Sequence, residues 1–342
     1  MEISELKDQE RGEWNTYVNR HPEATFYHRF EWKKVVEGAY GHTPFYLTAR
    51  EGGKITGILP LFRLKSLLLG SKMISLPFGS YGGMCADNAE TEQALLDTAI
   101  ERTNGMKLDY LELRCRNEKE LGLIPDLIYN TMVLELDSDP DRVWKEKINK
   151  KVRNATRKAM KSGLTVDRGN QYLKEFYELY AVSMAHLGTP VHSFRFFDRI
   201  LAEFPENSGI FVAKKDGEVL AALVMLGFRE HIISGWEASD RNSLSLNPNN
   251  ILYWESIKFA CEQGFGYFDF GRSIQDSGTF RFKKPWGAES HQLYYHYHLN
   301  RTKTVPNSST KSESRNRFSE KWKKVPLPIT RIIGPMLRRL LP

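Results

Sequence analysis

The chain has 342 residues, of which 41% are hydrophobic and 27% charged, so its composition is that of a folded protein and its length favours two domains. Its three cysteines, Cys85, Cys115 and Cys261, are far apart and form no CxxC pair, which argues against a zinc ribbon and against a disulfide framework. The first residues, MEISELKDQERGEW, contain no apolar segment, and the expected compartment is therefore the cytoplasm.

The net charge of +7 is concentrated in the C-terminal tail. Residues 301–342 hold eleven Lys and Arg residues against Glu313 and Glu320, a net charge of +9, which leaves −2 for residues 1–300. The body is thus nearly neutral and lacks the broad basic face that binding of a whole tRNA would favour.

An internal repeat organises the chain. Residues 46–59, YLTAREGGKITGIL, align without a gap on 210–223, IFVAKKDGEVLAAL, and each copy predicts a β-hairpin with a turn of charged residues and glycine. A helical stretch and another strand follow each hairpin, and that strand carries an acidic residue at the same place, Glu112 or Asp269. We therefore expect two copies of one α/β unit.

The predicted boundary divides the chain into a first domain, 1–138, and a second domain, 139–300. The second begins with a basic helix expected over 141–162 and ending at Gly163. One narrow apolar stripe follows this helix, and nine cations share the rest of its surface. Two interpretations stay open, a solvated basic face or a surface that binds the phosphates of a charged donor. The candidate donor-binding residues are Lys150, Arg153, Arg157 and Lys158.

The tail is predicted to have two parts. Residues 301–328 are rich in Ser, Asn, Lys and Arg and are expected to form a flexible basic linker. Residues 329–342 predict an amphipathic helix, and residues 321–342 are expected to bind an anionic membrane surface. A helix that packs on the body is the alternative. The apolar stripe of this helix consists of Ile329, Ile332, Ile333, Met336, Leu337, Leu340 and Leu341.

Three segments carry a resemblance to a known family. KKVRNATRKAMKSGL (150–164), LYWESIKFACEQGFGYFDFGRS (252–273) and RFKKPWG (281–287) resemble the basic helix, the helix and strand, and the FKxxFG element of the FemAB family. These enzymes have tandem acetyltransferase-like (GNAT) domains and transfer an amino acid from aminoacyl-tRNA to peptidoglycan precursors. FGRS, FKKPWG and LGTPVHSFRFF (187–197) are most similar to the FemAB-related subgroup associated with exosortase systems and exopolysaccharide export.

The resemblance implies an α/β (α+β) fold of two tandem GNAT-like domains followed by a basic tail. It implies a cytoplasmic acyltransferase, peripheral at the inner face of the membrane, that modifies an amine or hydroxyl of a lipid-linked, saccharide or peptide acceptor. No bound cofactor and no metal is expected, and the donor substrate is aminoacyl-tRNA or acyl-CoA. Residues 241–250, RNSLSLNPNN, contain no glycine where acyl-CoA-using relatives have a glycine-containing pyrophosphate loop, which disfavours acetyl-CoA.

Two other functions stay open. One is an acetyl-CoA-dependent N- or O-acetyltransferase of sugars, and the other is a non-catalytic, membrane-associated adapter with the same fold. The sequence does not determine the oligomeric state.

The candidate catalytic residues lie in the second copy. The resemblance places Lys283 as the lysine of the FK element, which is positioned to stabilise the oxyanion of a tetrahedral intermediate. Asp269 and Arg272 lie at the carboxyl end of a strand, where α/β folds open ligand clefts. Asp269 is predicted to orient the acceptor amine and Arg272 to bind a phosphate or carboxylate, and a salt bridge between the two is the alternative.

Candidate substrate-binding residues come from both copies. An aromatic and carboxylate set suits sugar or peptide recognition, although the aromatic residues are equally expected in a core. The glycine-dense loop LPFGSYGGM (76–84) is predicted to bind the acceptor, and His192 is expected at a loop rim. If residues 281–287 are extended, Lys283 and Lys284 point to opposite sides. The substrate-binding candidates are Trp236, Glu237, Asn250, Tyr253, Arg281 and Trp286 in the second copy and Ser80 and Tyr81 in the first.

Overall fold

Both predicted hairpins form, and each lies inside its own β-sheet. The protein is described by a computed structural model, and the structure describes residues 1–66, 70–306 and 313–341. Two compact units are present among these residues, one within Met1–Tyr129, Gln292–Ser309 and Arg339–Pro342, the other within Asn130–His291 and Thr310–Arg338.

The helices and strands alternate along the whole chain. The first part contains β1 (Glu2–Glu5), α1 (Arg11–Arg20), α2 (Phe30–Tyr40), β2 (Thr43–Glu51), β3 (Lys54–Ser66), β4 (Gly70–Ser75), β5 (Cys85–Ala86), α3 (Ala89–Gly105), β6 (Tyr110–Cys115), β7 (Ile124–Asp126) and β8 (Tyr129–Glu135). The second part contains α4 (Pro140–Arg142), α5 (Lys150–Lys161), β9 (Thr165–Arg168), α6 (Leu173–Leu187), α7 (Phe194–Glu203), β10 (Ser208–Lys215), β11 (Glu218–Phe228), β12 (His231–Ser239), α8 (Pro248–Glu262), β13 (Tyr267–Ile274), α9 (Gly278–Lys283), β14 (Glu289–Gln292), β15 (Tyr294–Leu299), α10 (Glu313–Trp322) and α11 (Leu327–Arg338).

Each unit is built on one mixed sheet. In the described residues the first sheet has the order β1-β2-β3-β4-β6-β15-β7, with β5 paired to β3, and the second has the order β14-β8-β13-β12-β11-β10-β9. The helix α3 packs on β2, β3 and β6 of the first sheet, and α8 packs on β10 and β11 of the second. Alternating apolar residues on the strands and the inner faces of these helices form one core in each unit. The predicted α/β class is confirmed.

The internal repeat is also confirmed, down to its irregularities. Ala49 pairs with Gly57 in the first hairpin and Ala213 pairs with Ala221 in the second, and the register shifts immediately after both alanines. These positions correspond in the alignment of 46–59 with 210–223. In each copy the strand after the long helix joins the sheet through a parallel ladder of three residue pairs, between β4 and β6 or between β12 and β13.

Two strands lie in the sheet of the other half of the chain. β8 precedes the predicted boundary at 138/139 but lies beside β13 in the second sheet, and β15 comes from the predicted second domain but pairs with β6 and β7 in the first sheet. Periodicity identifies a strand, but it carries no information about a pairing partner more than a hundred residues away.

The basic helix expected over 141–162 is interrupted. After the turn α4 the chain makes one π-helical segment, Val143–Lys147, and then becomes extended at Ile148 and Asn149. The Asn149 side chain accepts a hydrogen bond from the Lys151 N–H and so starts α5 afresh, which is the usual competition of Asn with a continuing helix. The end is as predicted, because Gly163 adopts a left-handed conformation with φ +80°.

The tail differs from its predicted division at 328/329. Helix α10 forms within the segment expected to be a flexible linker, and α11 begins at Leu327. The part of that linker over 307–312 lies outside the described residues. Helix α11 packs on α6, with Thr330 and Gly334 buried in the contact.

Gly57 provides a test of the close packing in the first unit. It corresponds to Ala221, yet a Cβ at Gly57 would lie 2.6 Å from Thr91 Cγ2 and 2.9 Å from Leu95 Cδ1 on α3. We expect Gly57→Ala to lower the free energy of unfolding by about 1–3 kcal/mol, measured by urea denaturation, because a methyl group overpacks this contact. The control is Gly12→Ala, where no heavy atom lies within 4 Å, and it should not destabilise. Equal stability of the two variants would contradict the packing.

Candidate active site

The two central strands of the second sheet stop pairing partway along their length. The parallel ladder of β12 and β13 ends at the pair Ile233–Asp269, although both strands continue for five residues or more. Gly235 is the extra residue of a bulge in β12, since Ser234 and Trp236 face consecutive residues of β11. We call the unpaired segments 234–239 and 270–274 the strand opening.

Lys283 places its ammonium group at the strand opening. Its Nζ donates hydrogen bonds to the carbonyl oxygens of Gly271, at 3.0 Å, and Arg272, at 3.3 Å. The residue is only 5% exposed. Burial lowers the pKa of Lys283 below that of an ordinary lysine, the carboxylates of Glu237 and Asp269 oppose this, and the cation of Arg272 adds to it. A cation is therefore held among backbone dipoles in a medium that screens it poorly.

The chain holds this lysine on a short helix with defined ends. Ser277 caps α9 by accepting a hydrogen bond from the Phe280 N–H, and Phe280 is buried in the core. The turn after α9 ends at Gly287, which has φ +83° and whose missing Cβ would lie 2.6 Å from the Lys147 carbonyl oxygen. Residues 281–287 are thus helical rather than extended. Lys283 and its exposed neighbour Lys284 separate because they point from a helix in different directions.

Asp269 is fully buried at the last paired position of β13. Its Oδ1 accepts hydrogen bonds from the Thr131 hydroxyl, at 2.6 Å, and from the Gly271 N–H, at 2.7 Å. Gly271 itself has φ +72°, a conformation that suits glycine. Asp269 therefore shapes the backbone turn whose carbonyl oxygen receives Lys283. Sequence reasoning missed Thr131, since 138 residues separate it from its partner.

A chain of hydroxyl groups runs along the other side of the strand opening. The Tyr253 hydroxyl donates to the Glu237 carboxylate and also hydrogen-bonds the Ser234 Oγ, at 3.1 Å. Burial, followed by the nearby Glu237 carboxylate, raises the pKa of Tyr253 well above that of an ordinary tyrosine, so the phenol stays protonated. Glu237 is exposed, whereas Tyr253 and Ser234 are buried. Ser234 was missed, although the glycine after it in a strand pattern is a signal for a bulge.

The other predicted residues of this unit occupy varied surroundings. Trp286 lies in the core, with its ring 5.8 Å from that of Tyr253. Trp236 is half-buried against Phe196 and Phe197 of α7, and His192 is fully buried in the same cluster rather than at a loop rim. Half-buried positions are also taken by Asn250 and Arg272, and Arg281 is exposed.

The cations of the basic helix divide into two groups. Arg153 donates to the carbonyl oxygens of Trp144 and Lys145, and Arg157 lies over the Trp144 ring, 5.5 Å from its centroid. These two therefore hold the preceding turn in place. Lys150 and Lys158 are exposed on α5 and carry the freely accessible charge of this candidate group.

The corresponding opening of the first unit is filled by its own loop. The alignment of Glu112 with Asp269 makes Arg114 the counterpart of Gly271, and the Arg114 carbonyl oxygen accepts a hydrogen bond from the Gly82 N–H at 2.6 Å. The Arg114 side chain forms a buried ion pair with Glu112, at 2.7 Å. A loop amide thus occupies the carbonyl that in the second unit receives a lysine.

Ser80 and Tyr81 belong to this filling loop and therefore to the first unit. Tyr81 is buried, and the Ser80 carbonyl oxygen accepts a hydrogen bond from the Tyr295 hydroxyl at 2.6 Å. Loop 76–84 is thus tied inward at its centre.

Comparison with known proteins gives a family for part of the chain. Residues 146–284 match the model of a family described as an acetyltransferase (GNAT) domain. The second unit carries a GNAT domain. The matched segment includes Lys283 and the whole strand opening, so the candidate site lies inside the GNAT domain. No sequence among the curated proteins matches the chain.

Several solved structures share the fold over nearly their whole length. FemX is 17% identical with a TM-score of 0.67, covering 86% of this chain and 97% of its own. L-PGS from Bacillus licheniformis is 12% identical with a TM-score of 0.59, covering 98% of both chains. A tandem GNAT protein from the clavulanic acid biosynthesis pathway is 12% identical with a TM-score of 0.57, covering 89% of this chain and 99% of its own. The fold is therefore that of tandem GNAT-like domains.

Removal of the Thr131 hydroxyl tests the support of Asp269. We expect Thr131→Val to lower the free energy of unfolding by about 1–3 kcal/mol, because a buried carboxylate loses a hydrogen bond without gaining water. Thr131→Ser keeps the hydroxyl and should cost about 1 kcal/mol or less for the lost methyl group. Urea denaturation of both variants is the measurement, and a valine variant as stable as the serine variant would contradict the role of this hydrogen bond.

Proposed function

We propose that the second unit catalyses acyl transfer to an amine or hydroxyl group, with Lys283 stabilising the negative charge that develops on the donor carbonyl. The observation that carries this proposal is the buried Lys283 ammonium at the strand opening, hydrogen-bonded to the Gly271 and Arg272 carbonyl oxygens. A buried cation aimed at an edge of the sheet where no strand pairs is suited to a ligand's oxyanion. The match of residues 146–284 to a GNAT domain supports the same chemistry.

The reaction assigns one task to each side of the strand opening. The acceptor nitrogen or oxygen forms a bond to the donor carbonyl carbon, and the carbonyl electron pair moves to oxygen, where Lys283 stabilises it. Collapse of this intermediate breaks the bond to the leaving group. The acceptor's proton passes to Glu237, whose carboxylate is oriented by the Tyr253 hydroxyl. Asp269 acts through the backbone by holding the Gly271 turn.

The donor we favour is an aminoacyl group. An acyl-CoA pyrophosphate would need free N–H groups at the start of α8. The first residue of that helix is Pro248, which has no N–H, and the Asn250 N–H is bonded to the Asn247 carbonyl oxygen. The exposed Lys150 and Lys158 supply charge for a phosphate-bearing donor such as aminoacyl-tRNA. The GNAT family match favours a second candidate, acetyl transfer from acetyl-CoA, including to sugars.

The acceptor we propose is a precursor of the cell envelope or of an exopolysaccharide, modified at the cytoplasmic face of the membrane. The resemblance of residues 150–164, 252–273 and 281–287 to the FemAB family supports a peptide or saccharide acceptor. The tandem fold shared with FemX is compatible with it. Loop 76–84, with Ser80 and Tyr81, stays a proposed acceptor contact, as do Trp236, Asn250 and Arg281. Arg272 is proposed to bind an acidic group of either substrate.

Lys283 and Lys284 form a matched pair for testing the catalytic proposal. We expect Lys283→Met to lower the transfer rate about 100- to 1,000-fold, the usual loss on deleting one oxyanion-stabilising group. Lys284→Met removes the same charge from the exposed neighbouring position and should retain near-normal activity. Transfer of labelled aminoacyl or acetyl groups to isolated envelope precursors is the measurement, with charged tRNA and acetyl-CoA supplied in separate reactions. Equal rates for the two variants would indicate a non-catalytic adapter.

The lowered pKa of Lys283 predicts a pH dependence of stability. In the unfolded chain this lysine keeps its proton up to about pH 10.4. In the folded protein its pKa is lower, because burial outweighs Glu237 and Asp269. Between these two pKa values the unfolded state binds more protons, so the wild type should gain stability relative to Lys283→Met as the pH rises. Urea denaturation across this alkaline range measures the difference, and a constant or falling difference would contradict the burial of the ammonium.

A further inference from the structure

Helix α11 presents two opposite faces. Thr330 and Gly334 are buried on the side that packs on α6. The other side carries an apolar stripe of four residues at intervals of three, one and three, and these are among the most exposed hydrophobic side chains of the described residues. The stripe consists of Ile329, 43% exposed, Ile332, 72%, Ile333, 41%, and Met336, 66%.

Specific contacts fix this orientation of α11. At Gly334 a Cβ would lie 2.8 Å from Val191 Cγ1 and 3.7 Å from the Trp322 ring, so the helix approaches the body too closely for a side chain there. Arg338 Nε donates to His192 Nε2 at 3.0 Å, and the His192 ring stacks on Phe196 with centroids 4.4 Å apart. Turning the apolar stripe inward would break these contacts and place larger side chains against Val191.

The surroundings of the stripe are cationic. Lys321, Lys323, Lys324 and Arg331 are exposed at the start of α11 and just before it. Over residues 316–341 the sequence has a single acidic residue, Glu320, and its carboxylate lies 2.6 Å from Lys323 Nζ. A second copy of the chain pairing through this stripe would bring two cationic rims together, which opposes association. An anionic surface satisfies both the apolar stripe and its rim.

We propose that the face of α11 formed by Ile329, Ile332, Ile333 and Met336 docks on the surface of an anionic lipid bilayer. The stripe enters the boundary between headgroups and acyl chains, and the neighbouring lysines bind lipid phosphates. In the described residues no helix has both the length and the hydropathy needed to cross a bilayer, so α11 lies in the interface. The helix docks as it stands, without leaving α6.

This inference rests on the faces of α11 and is independent of the transferase reaction. It deepens the proposed function because the docking surface is joined to the candidate site through packed side chains. His192, which receives Arg338 of α11, lies edge-on against Trp236 at 6.0 Å, and Trp236 precedes Glu237 in β12. A membrane-bound α11 would therefore hold the strand opening at a set distance from lipid-linked acceptors.

The test is cosedimentation of the full chain with vesicles. Vesicles of phosphatidylglycerol mixed with phosphatidylcholine are compared with vesicles of phosphatidylcholine alone. We expect binding to the anionic vesicles, and we expect the double variant Ile332→Glu and Met336→Glu to bind at least about tenfold more weakly, since burying either side chain contributes more than that factor. The matched control, Met160→Glu with Leu244→Glu, changes the same charge at other exposed apolar positions of this unit and should bind like the wild type.

A charge variant separates the two parts of the surface. Lys323→Gln with Lys324→Gln should weaken binding to anionic vesicles about fivefold per lysine and should reduce its salt dependence. Normal vesicle binding by the Ile332 and Met336 variant would overturn the proposal. So would self-association, seen by analytical ultracentrifugation, that this variant abolishes while no form binds vesicles. Vesicle binding by Lys283→Met should be normal, so failure of the transferase proposal and failure of the docking proposal give different results.

Discussion

The contact on which the candidate site depends is the hydrogen bond from the Lys283 ammonium to the Gly271 carbonyl oxygen. It forms only because β12 and β13 stop pairing after Asp269, which leaves strand carbonyl oxygens without a neighbouring strand. The bulge at Gly235, the left-handed turn at Gly271 and the hydrogen bonds of Asp269 all serve this local geometry. The result is a cation kept in a buried position, where its field on a reacting carbonyl is much stronger than in water.

Duplication explains why one unit carries this arrangement and the other does not. Both copies have the same hairpin, the same bulge after Ala49 or Ala213, and the same three-pair parallel ladder. In the first copy a loop amide and the Glu112–Arg114 ion pair occupy the space that follows the ladder. Filling that opening stabilises the first unit as a folded body and leaves the acyl-transfer chemistry to the second.

How far the sequence predicts the site depends on the range of each contact. Lys283, Asp269, Glu237 and Tyr253 could be singled out because motif resemblance and strand ends are local signals. Thr131 could not, since its bond to Asp269 joins distant parts of the chain. The basic helix shows a second limit, because cations that look equivalent on a helical pattern differ in fact. Arg153 and Arg157 bind a preceding turn that periodicity had merged into the same helix.

By itself the sequence determined what each segment is: the strand alternation of the hairpins, the glycine that ends α5, the charge of the tail and the apolar stripe of its last helix. Such properties depend on neighbours within a few residues. Only the tertiary structure decided which sheet receives β8 and β15, that Lys283 is buried while Lys284 is not, and that α11 packs through Thr330 and Gly334 with its apolar stripe outward. Those outcomes depend on contacts between residues far apart in the chain, whose free energies no local pattern contains.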